Sequence, residues 1–276
     1  MFWDGRTTGE AEGLNDPVAE QAMGPFLNPM EQNVPQMKLV VSRVAKSDYA
    51  HLFEEAGFPA PAFKRKDEVK TTYINIAIAI SAYEHSEEVN PFSSKYDAYL
   101  AGHVELSDQE AWGLELFEGK AMCSACHISE PGPNGEPPLF TDFTYDNLGT
   151  PRNPDNPFYS APPSVNPDGA MWVDLGLGAF LDDPGEYGKV KVPTLRNVDK
   201  RPYPGFVKAY MHNGVFKSLE EVVSFYNTRD VDGAGWPEAE APVNVNKDEL
   251  GDLGLNAEEE AALVAFMKTL SDGYTG

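Results

Sequence analysis

Apolar residues recur at helical spacing in several separate stretches of the chain, and these stretches predict its regular structure. A short helix is predicted around residues 17–23. Over residues 34–56, apolar positions recur three or four apart until Gly57, which predicts helix over most of that stretch. A longer helix is predicted from about 67 to 89, where the apolar positions form one face. The first third of the chain is therefore predicted to be helical.

The rest of the chain contains further helical stretches, two of which open with a serine followed three residues later by glutamate. This capping-box pattern begins the helices predicted at 107–119 and 218–227. Helices are also predicted near 94–101 and 206–211, and a last one follows Asn256. Residues 74–80 are also β-prone, but helix formers flank them and no turn residues bound them. The pattern therefore predicts an all-α protein with long loops, in which the odd short strand can occur.

Two long stretches, 131–189 and 228–255, are rich in proline, glycine, asparagine and aspartate and show little periodicity. Irregular stretches of this length are uncommon in a compact domain unless they serve a function. A turn signal at Asn90-Pro91 predicts a domain hinge. We therefore predict two domains, over residues 1–91 and 92–276.

The two cysteines of the chain lie in the run Cys123-Ser124-Ala125-Cys126-His127. C-x-x-C-H is the attachment signature of haem c, in which two thiols add to the haem vinyl groups and the histidine ligates the iron. A thioredoxin-like redox pair would instead open a helix after a strand, and half a zinc site would need two more ligands. Neither context is visible. The motif predicts one covalent haem c at Cys123 and Cys126, with His127 as proximal ligand and the 131–189 loops around the haem.

The charge balance limits the choice of partners. The chain has 44 acidic and 21 basic residues, a formal net charge of −23, which argues against nucleic acid and favours either a basic electron-transfer partner or simple solubility. No apolar run is long enough to cross a bilayer, and the start does not resemble a signal peptide. Because haem c is attached outside the cytoplasm, we expect an exported, periplasmic protein whose given sequence is a mature or truncated form.

Several segments, in the same order and with similar spacing, resemble the bacterial diheme cytochrome c peroxidases and their MauG-like relatives. These segments are Phe2-Trp3-Asp4-Gly5-Arg6, Gln21-Ala22-Met23-Gly24-Pro25, Asn28-Pro29-Met30-Glu31, the C-x-x-C-H motif, Val192-Pro193-Thr194-Leu195-Arg196-Asn197, His212-Asn213-Gly214 and the helix that ends near Tyr226. The resemblance covers most of the chain outside the two irregular stretches.

The family has two haem c domains, whereas this sequence has one attachment motif. Residues 92–276 are similar to the second, electron-transferring domain, and residues 1–91 to the latter part of the first, peroxidatic domain without its haem motif. The resemblance therefore implies a cytochrome c-like haem domain preceded by a partial second helical domain, with a second haem in a full-length parent. The family often holds calcium between its domains, but no calcium ligands are assigned here.

The resemblance implies an oxidoreductase that passes electrons through its haem to reduce hydrogen peroxide, or that oxidises a substrate as MauG does. It implies a small cytochrome c or a cupredoxin as electron donor, and it leaves a homodimer open. An alternative is a monohaem periplasmic electron-transfer cytochrome c without peroxidase activity. A third reading is a subunit that supplies its haem to a larger complex.

The resemblance also assigns residues of the catalytic path. Trp3 matches the tryptophan thought to carry electrons between the haems, and Gln21 and Glu31 match polar residues of the peroxide pocket, where a carboxylate can act as general acid and base. The alternative is structural: Trp3 as a core residue, Gln21 on a helix surface and Glu31 as a solvated loop charge.

The sixth iron ligand has two main candidates. The peroxidases use a methionine one helix beyond the His-x-Gly motif, and that place holds Tyr226, as in MauG-like enzymes that use tyrosine. Met211 is the principal alternative. We interpret Met267 as a core residue and His212 as a hydrogen-bonded turn residue. Arg196 is a candidate partner for a haem propionate, because its guanidinium fork suits a carboxylate. The alternative is an ordinary surface ion pair.

Overall fold

The computed structural model describes residues 2–276, which divide into two compact units. The first unit comprises Phe2 and Arg6–Pro91, and the second comprises Trp3–Gly5 and Phe92–Gly276. The second unit contains the C-x-x-C-H motif. None of the helices within residues 2–276 combines the length and the apolar character needed to cross a lipid bilayer.

The first unit is helical. Its helices are α1 (Pro17–Leu27), α2 (Met37–Ala45), α3 (Leu52–Glu55) and α4 (Lys66–Glu84). Their apolar faces pack around Val34, Val40, Val41, Tyr73 and Ile76. The single helical stretch predicted over 34–56 is therefore divided into α2 and α3.

A polar turn separates these two helices. The hydroxyl and the backbone N–H of Ser47 both donate to the carbonyl of Val44, at 2.7 and 3.0 Å, just after α2 ends. Serine near a helix end competes in this way for backbone carbonyls. The prediction from periodicity overlooked this local competition.

The second unit contains five helices among its described residues: α5 (Lys95–Leu100), α6 (Asp108–Glu118), α7 (Leu177–Leu181), α8 (Leu219–Thr228) and α9 (Ala257–Lys268). Two short strands, β1 (Tyr145–Asp146) and β2 (Val190–Lys191), pair antiparallel, with Tyr145 opposite Lys191. The protein is therefore mostly helical with long loops, and the all-α prediction needs correction for this two-stranded sheet. The strands pair residues inside the 131–189 stretch with the residues that directly follow it.

Helices α6 and α9 pack against each other at Gly113. A side-chain carbon at this position would overlap the carbonyl oxygen of Ala262 and lie 2.8 Å from Cβ of Phe266. Gly113 therefore permits a close approach that no larger residue allows. An aromatic cluster around Phe117, Phe140 and Phe266 completes this core, with ring centroids 5.2 to 6.3 Å apart. The packing fixes the helix that leads into the C-x-x-C-H motif.

The helix predicted over 206–211 is wrong. The backbone N–H of Tyr210 donates to the carbonyl of Phe216 at 2.9 Å, so these two residues form an isolated antiparallel bridge. Met211 begins the turn between them with a φ of 65°, in the left-handed region. The bridge takes the hydrogen-bonding groups that a helix would need, because buried backbone groups each require one partner.

Candidate haem-binding site

A cavity of about 470 Å³ lies in the second unit, beside the C-x-x-C-H motif. Its lining is mainly apolar and includes Phe117, Val192, Leu195, Leu219, Val223 and Leu263. Cys123, Cys126 and His127 also line it. A mostly apolar cavity of this size with a few polar groups is typical of a cofactor site.

The histidine of the motif is oriented by one hydrogen bond. Nδ1 of His127 lies 2.8 Å from the carbonyl oxygen of Phe140. Because a carbonyl can only accept, Nδ1 carries the hydrogen and Nε2 keeps its lone pair, the form in which histidine ligates a metal. Burial lowers the pKa of His127, which also favours the neutral ring.

The two thiols are not poised as a redox pair. Burial raises the pKa of Cys123 to about 12 and that of Cys126 to about 11. A thioredoxin-like pair has a lowered thiol pKa, and the two cysteines form no disulfide. Residues 2–276 contain no group of three or more His, Cys, Asp or Glu side chains that could hold a metal ion. Covalent attachment of haem remains the reading that fits the motif.

Both candidate sixth ligands line the cavity. Tyr226 is on α8 and lines the cavity from there. Burial, with smaller effects from the two cysteines and Asp146, raises the pKa of Tyr226 above its usual value. The side chain is therefore a neutral phenol, and a cation beside it would be needed to stabilise the phenolate. Met211 lines the same cavity from the turn between the bridged residues Tyr210 and Phe216. Both residues therefore remain candidates for the sixth iron ligand.

Two more residues considered as iron ligands, one on α9 and one in the turn after Met211, also line the cavity. Met267 lines the cavity and packs in the core. His212 lines the cavity, and its Nδ1 is buried without a hydrogen-bond partner among the described residues. Burial lowers the pKa of His212, with Asp174 and Glu240 opposing that shift. An unpartnered buried nitrogen is costly, which fits a bound group that would supply an acceptor.

Arg196 has a protein carboxylate as its partner. Its guanidinium makes a two-pronged contact with Asp97, at 2.7 and 2.8 Å, and the side chain is only 8% exposed. Its Nε donates to the carbonyl of Pro138 at 2.8 Å. The guanidinium that we predicted to bind a haem propionate is thus paired with Asp97, although Arg196 does line the cavity. Arg196 therefore forms an ion pair, but a largely buried one and not the surface pair weighed as the alternative.

Two lysines that sequence reasoning missed also line the cavity. Burial lowers the pKa of both Lys191 and Lys208. Each is held by backbone carbonyls, with Nζ of Lys191 at 2.8 Å from the oxygen of Val192. Positive charges in an apolar wall suit a cofactor that carries two carboxylates. Lys191 directly precedes the Val-Pro-Thr-Leu-Arg-Asn segment, and Lys208 follows it by about ten residues. This proximity to a family-like segment is the feature of the sequence that could have indicated them.

Trp3 is fixed on the second unit and lines the same cavity. Its indole N–H donates to Oδ2 of Asp174 at 2.9 Å, and its carbonyl accepts from the N–H of Lys191 at 2.8 Å. The Trp3 side chain is 38% exposed, which does not support the alternative of a core residue. Asp174, within the irregular 131–189 stretch, was not predicted.

The two residues matched to a peroxide pocket lie on the first unit. Gln21 is on α1, and its Oε1 is buried without a hydrogen-bond partner among the described residues, unlike a solvated helix-surface amide. Glu31 lies in the turn after α1, where its side chain is exposed. The solvated alternative thus describes Glu31 better than Gln21.

The residues present fit a covalently bound haem: thiols at the cavity wall, a neutral histidine with its Nε2 lone pair, apolar sides and basic groups for the propionates. These features are those of a c-type haem domain. The model of a family described as di-haem cytochrome c peroxidase matches residues 1–105. MauG of Paracoccus denitrificans is 34% identical over 286 residues, which cover 99% of this chain and 67% of MauG. The chain therefore belongs to the MauG-like diheme cytochrome c peroxidase family, whose members are haem-dependent oxidoreductases.

Further relatives agree with this assignment. A cytochrome-c peroxidase of Denitromonas iodatirespirans, IdrP1, is 34% identical over 206 residues, covering 70% of this chain and 48% of that protein. The crystal structure of the diheme peroxidase BthA from Burkholderia thailandensis matches with a TM-score of 0.73 and 30% identity, over 99% of this chain and 66% of that chain. The chain thus spans about two thirds of MauG and BthA and about half of IdrP1.

Proposed function

We propose that this chain carries one covalent haem c at Cys123 and Cys126, with His127 as proximal iron ligand. We further propose that it serves the reduction of hydrogen peroxide, or a MauG-like oxidation, in the complete protein. The main support is the hydrogen bond from Nδ1 of His127 to Phe140, at 2.8 Å, beside a cavity that both thiols line. A bound haem supplies an iron that changes oxidation state.

In this proposal Trp3, Gln21 and Glu31 each have a different role. Trp3 provides an aromatic ring at the cavity through which an electron can pass toward a peroxide site. Gln21 donates or accepts a hydrogen bond in that site, and its buried, unpartnered Oε1 supports a role toward a bound molecule. Glu31 moves a proton between the peroxide oxygens as general acid and base. Support for Glu31 comes from family resemblance alone.

The setting follows from the chemistry of the cofactor. Haem c is attached outside the cytoplasm, so we propose that the protein is exported to the periplasm. Its electron donor would be a small redox protein such as a cytochrome c or a cupredoxin. A basic donor surface would complement the formal net charge of −23.

Haem attachment is tested by producing the chain, with an export leader, in a bacterium that matures c-type cytochromes. We expect the pyridine haemochrome spectrum of one haem c per chain, and none in the Cys123→Ser, Cys126→Ser double variant. Peroxide-dependent oxidation of a reduced cytochrome c then tests the activity, on this chain and on a parent containing the family's first haem motif. The absence of covalent haem from the unsubstituted chain would refute the proposal.

A second outcome would favour the monohaem electron carrier. The single C-x-x-C-H motif is the observation that supports this alternative. A haem-loaded protein that exchanges electrons reversibly, but leaves peroxide unreduced even in the longer parent, would establish the carrier and remove the peroxidase.

The sixth ligand gives a separate prediction. If Tyr226 is the ligand, Tyr226→Phe is expected to change the absorption and electron paramagnetic resonance spectra of the ferric haem protein, because a phenolate ligand is lost. Met211→Leu is the matched variant on the same cavity and is expected to leave both spectra unchanged. The opposite pattern would make Met211 the ligand.

A further inference from the structure

Two carboxylates that the proposed function does not use line the haem-binding cavity. Asp146 comes from β1, and Glu249 comes from the irregular stretch that follows α8. The side-chain amide of Asn246 donates to Oδ2 of Asp146 and, at 2.7 Å, to Oε2 of Glu249. One amide nitrogen therefore holds two acidic side chains next to each other at the cavity wall.

The loop that carries Asn246 and Glu249 is itself fixed. The backbone N–H of Asn246 donates to the carbonyl of Asn147 at 2.9 Å. The guanidinium of Arg229, in a side chain only 6% exposed, donates to the carbonyls of Asn246 and Leu148, at 2.6 and 2.7 Å. The arrangement of the two carboxylates is therefore built into the fold.

The positive charge of Arg229 is already matched. Its guanidinium makes a two-pronged contact with Asp230, at 3.1 and 2.6 Å. The two basic residues Lys191 and Lys208 correspond in number to the two propionates of a haem. The carboxylate pair thus adds negative charge at the cavity wall, whereas Lys247 on the same loop is exposed and is not among the cavity-lining residues.

The charge of this pair acts on the groups that face the cofactor. Burial is the largest cause of the raised pKa of Cys126, and Glu249, Asp142 and Asp146 add to it in that order. Asp146 likewise adds to the raised pKa of Tyr226. Both groups lie at the cavity, so the same field reaches whatever occupies it.

We propose that Asp146 and Glu249, held by Asn246, lower the reduction potential of the haem bound at Cys123 and Cys126. This inference rests on the proposed haem attachment. Negative charge beside an iron centre favours the oxidised form, which carries one more positive charge, and a cavity wall screens that interaction less than water does. Charges and hydrogen bonds around a metal site tune its potential in this way. The pair would help the site store oxidising equivalents.

The test measures the midpoint potential of the haem protein by spectroelectrochemical titration. Asp146→Asn and Glu249→Gln each remove one charge and keep an oxygen that can accept from Asn246. We expect each variant to have a higher potential, and the double variant to favour the reduced form about tenfold more, which is about 59 mV for a one-electron couple. Asp248→Asn is the matched control, because Asp248 is exposed on the same loop and is not among the cavity-lining residues. It is expected to leave the potential unchanged.

The proposal is overturned if Glu249→Gln and Asp146→Asn shift the potential no more than Asp248→Asn does. Glu249→Gln decides the matter if Asp146→Asn fails to fold, since the Glu249 carboxylate has Asn246 as its hydrogen-bond partner in the structure. The pyridine haemochrome spectrum is recorded first for every variant. A chain without covalent haem would contradict the proposed function, whereas an unchanged potential in a haem-loaded chain contradicts the carboxylate proposal alone.

Discussion

Gly113→Ala is expected to destabilise the second unit by about 3 kcal/mol, because adding a methyl group to a close-packed contact forces neighbouring atoms apart. The added carbon would overlap the carbonyl oxygen of Ala262, and backbone cannot move aside as a flexible side chain can. Urea unfolding followed by circular dichroism measures the loss. We also expect less covalent haem per chain, since α6 leads directly into the attachment turn.

Gly24→Ala is the control for this prediction. Gly24 also lies inside a helix, and a carbon added there meets nothing within 4 Å. Because Gly24 precedes Pro25, whose ring restricts the residue before it, we do not expect the usual gain from alanine in a helix interior. The change in stability is expected to stay within about 1 kcal/mol, well below the loss at Gly113. If the two variants had equal stability, close helix packing at Gly113 would not be a requirement of the fold.

Arg196→Ala is expected to destabilise the second unit by about 3 to 5 kcal/mol, because it leaves the largely buried carboxylate of Asp97 without its cation. Arg196→Lys keeps the charge but cannot make the two-pronged contact, so we expect a smaller loss. Urea unfolding of both variants, and of each combined with Asp97→Asn, gives the coupling between the two residues. Additive effects in the double variant would show that the pair is not the main role of Arg196.

The dependence on pH provides an independent check of this pair. Burial alone would raise the pKa of Asp97, but the hydrogen bonds from Arg196 and Ser94 outweigh burial and hold it below its usual value of 3.8. A lowered folded pKa gives stability that is present above the unfolded pKa and lost as pH falls through the folded one. The deficit of Arg196→Ala should therefore be largest at neutral pH and shrink below about pH 4. A deficit that does not change with pH would point to lost packing instead.

Local signals predicted the helices well. The capping boxes at Ser107 and Ser218 are present, with Glu110 and Glu221 completing them. The C-x-x-C-H motif predicted a site around which the structure brings Trp3, Arg196, Met211 and Tyr226. The two caps could be predicted because each depends on residues three apart in the sequence. The motif could be found because it is contiguous, and its role in haem binding stays a prediction.

Contacts between distant parts of the chain could not be predicted in the same way. Trp3 and Asp174 are 171 residues apart, and Asn246 and Asp146 are 100 apart. Such pairs depend on how the irregular stretches fold back, and those stretches lack the periodicity that would indicate a partner. The error over 206–211 has the same origin, since the bridge to Phe216 overrode the local preference for helix.

Asn227, directly after the candidate ligand Tyr226, has a further consequence for motion at the site. Its buried side chain donates to Leu255 and Glu260, at 2.9 and 2.7 Å, and accepts from the N–H of Leu255 at 2.9 Å. Helix α8 therefore cannot turn about its own axis without detaching the start of α9. Tyr226 would therefore keep its place beside a bound haem.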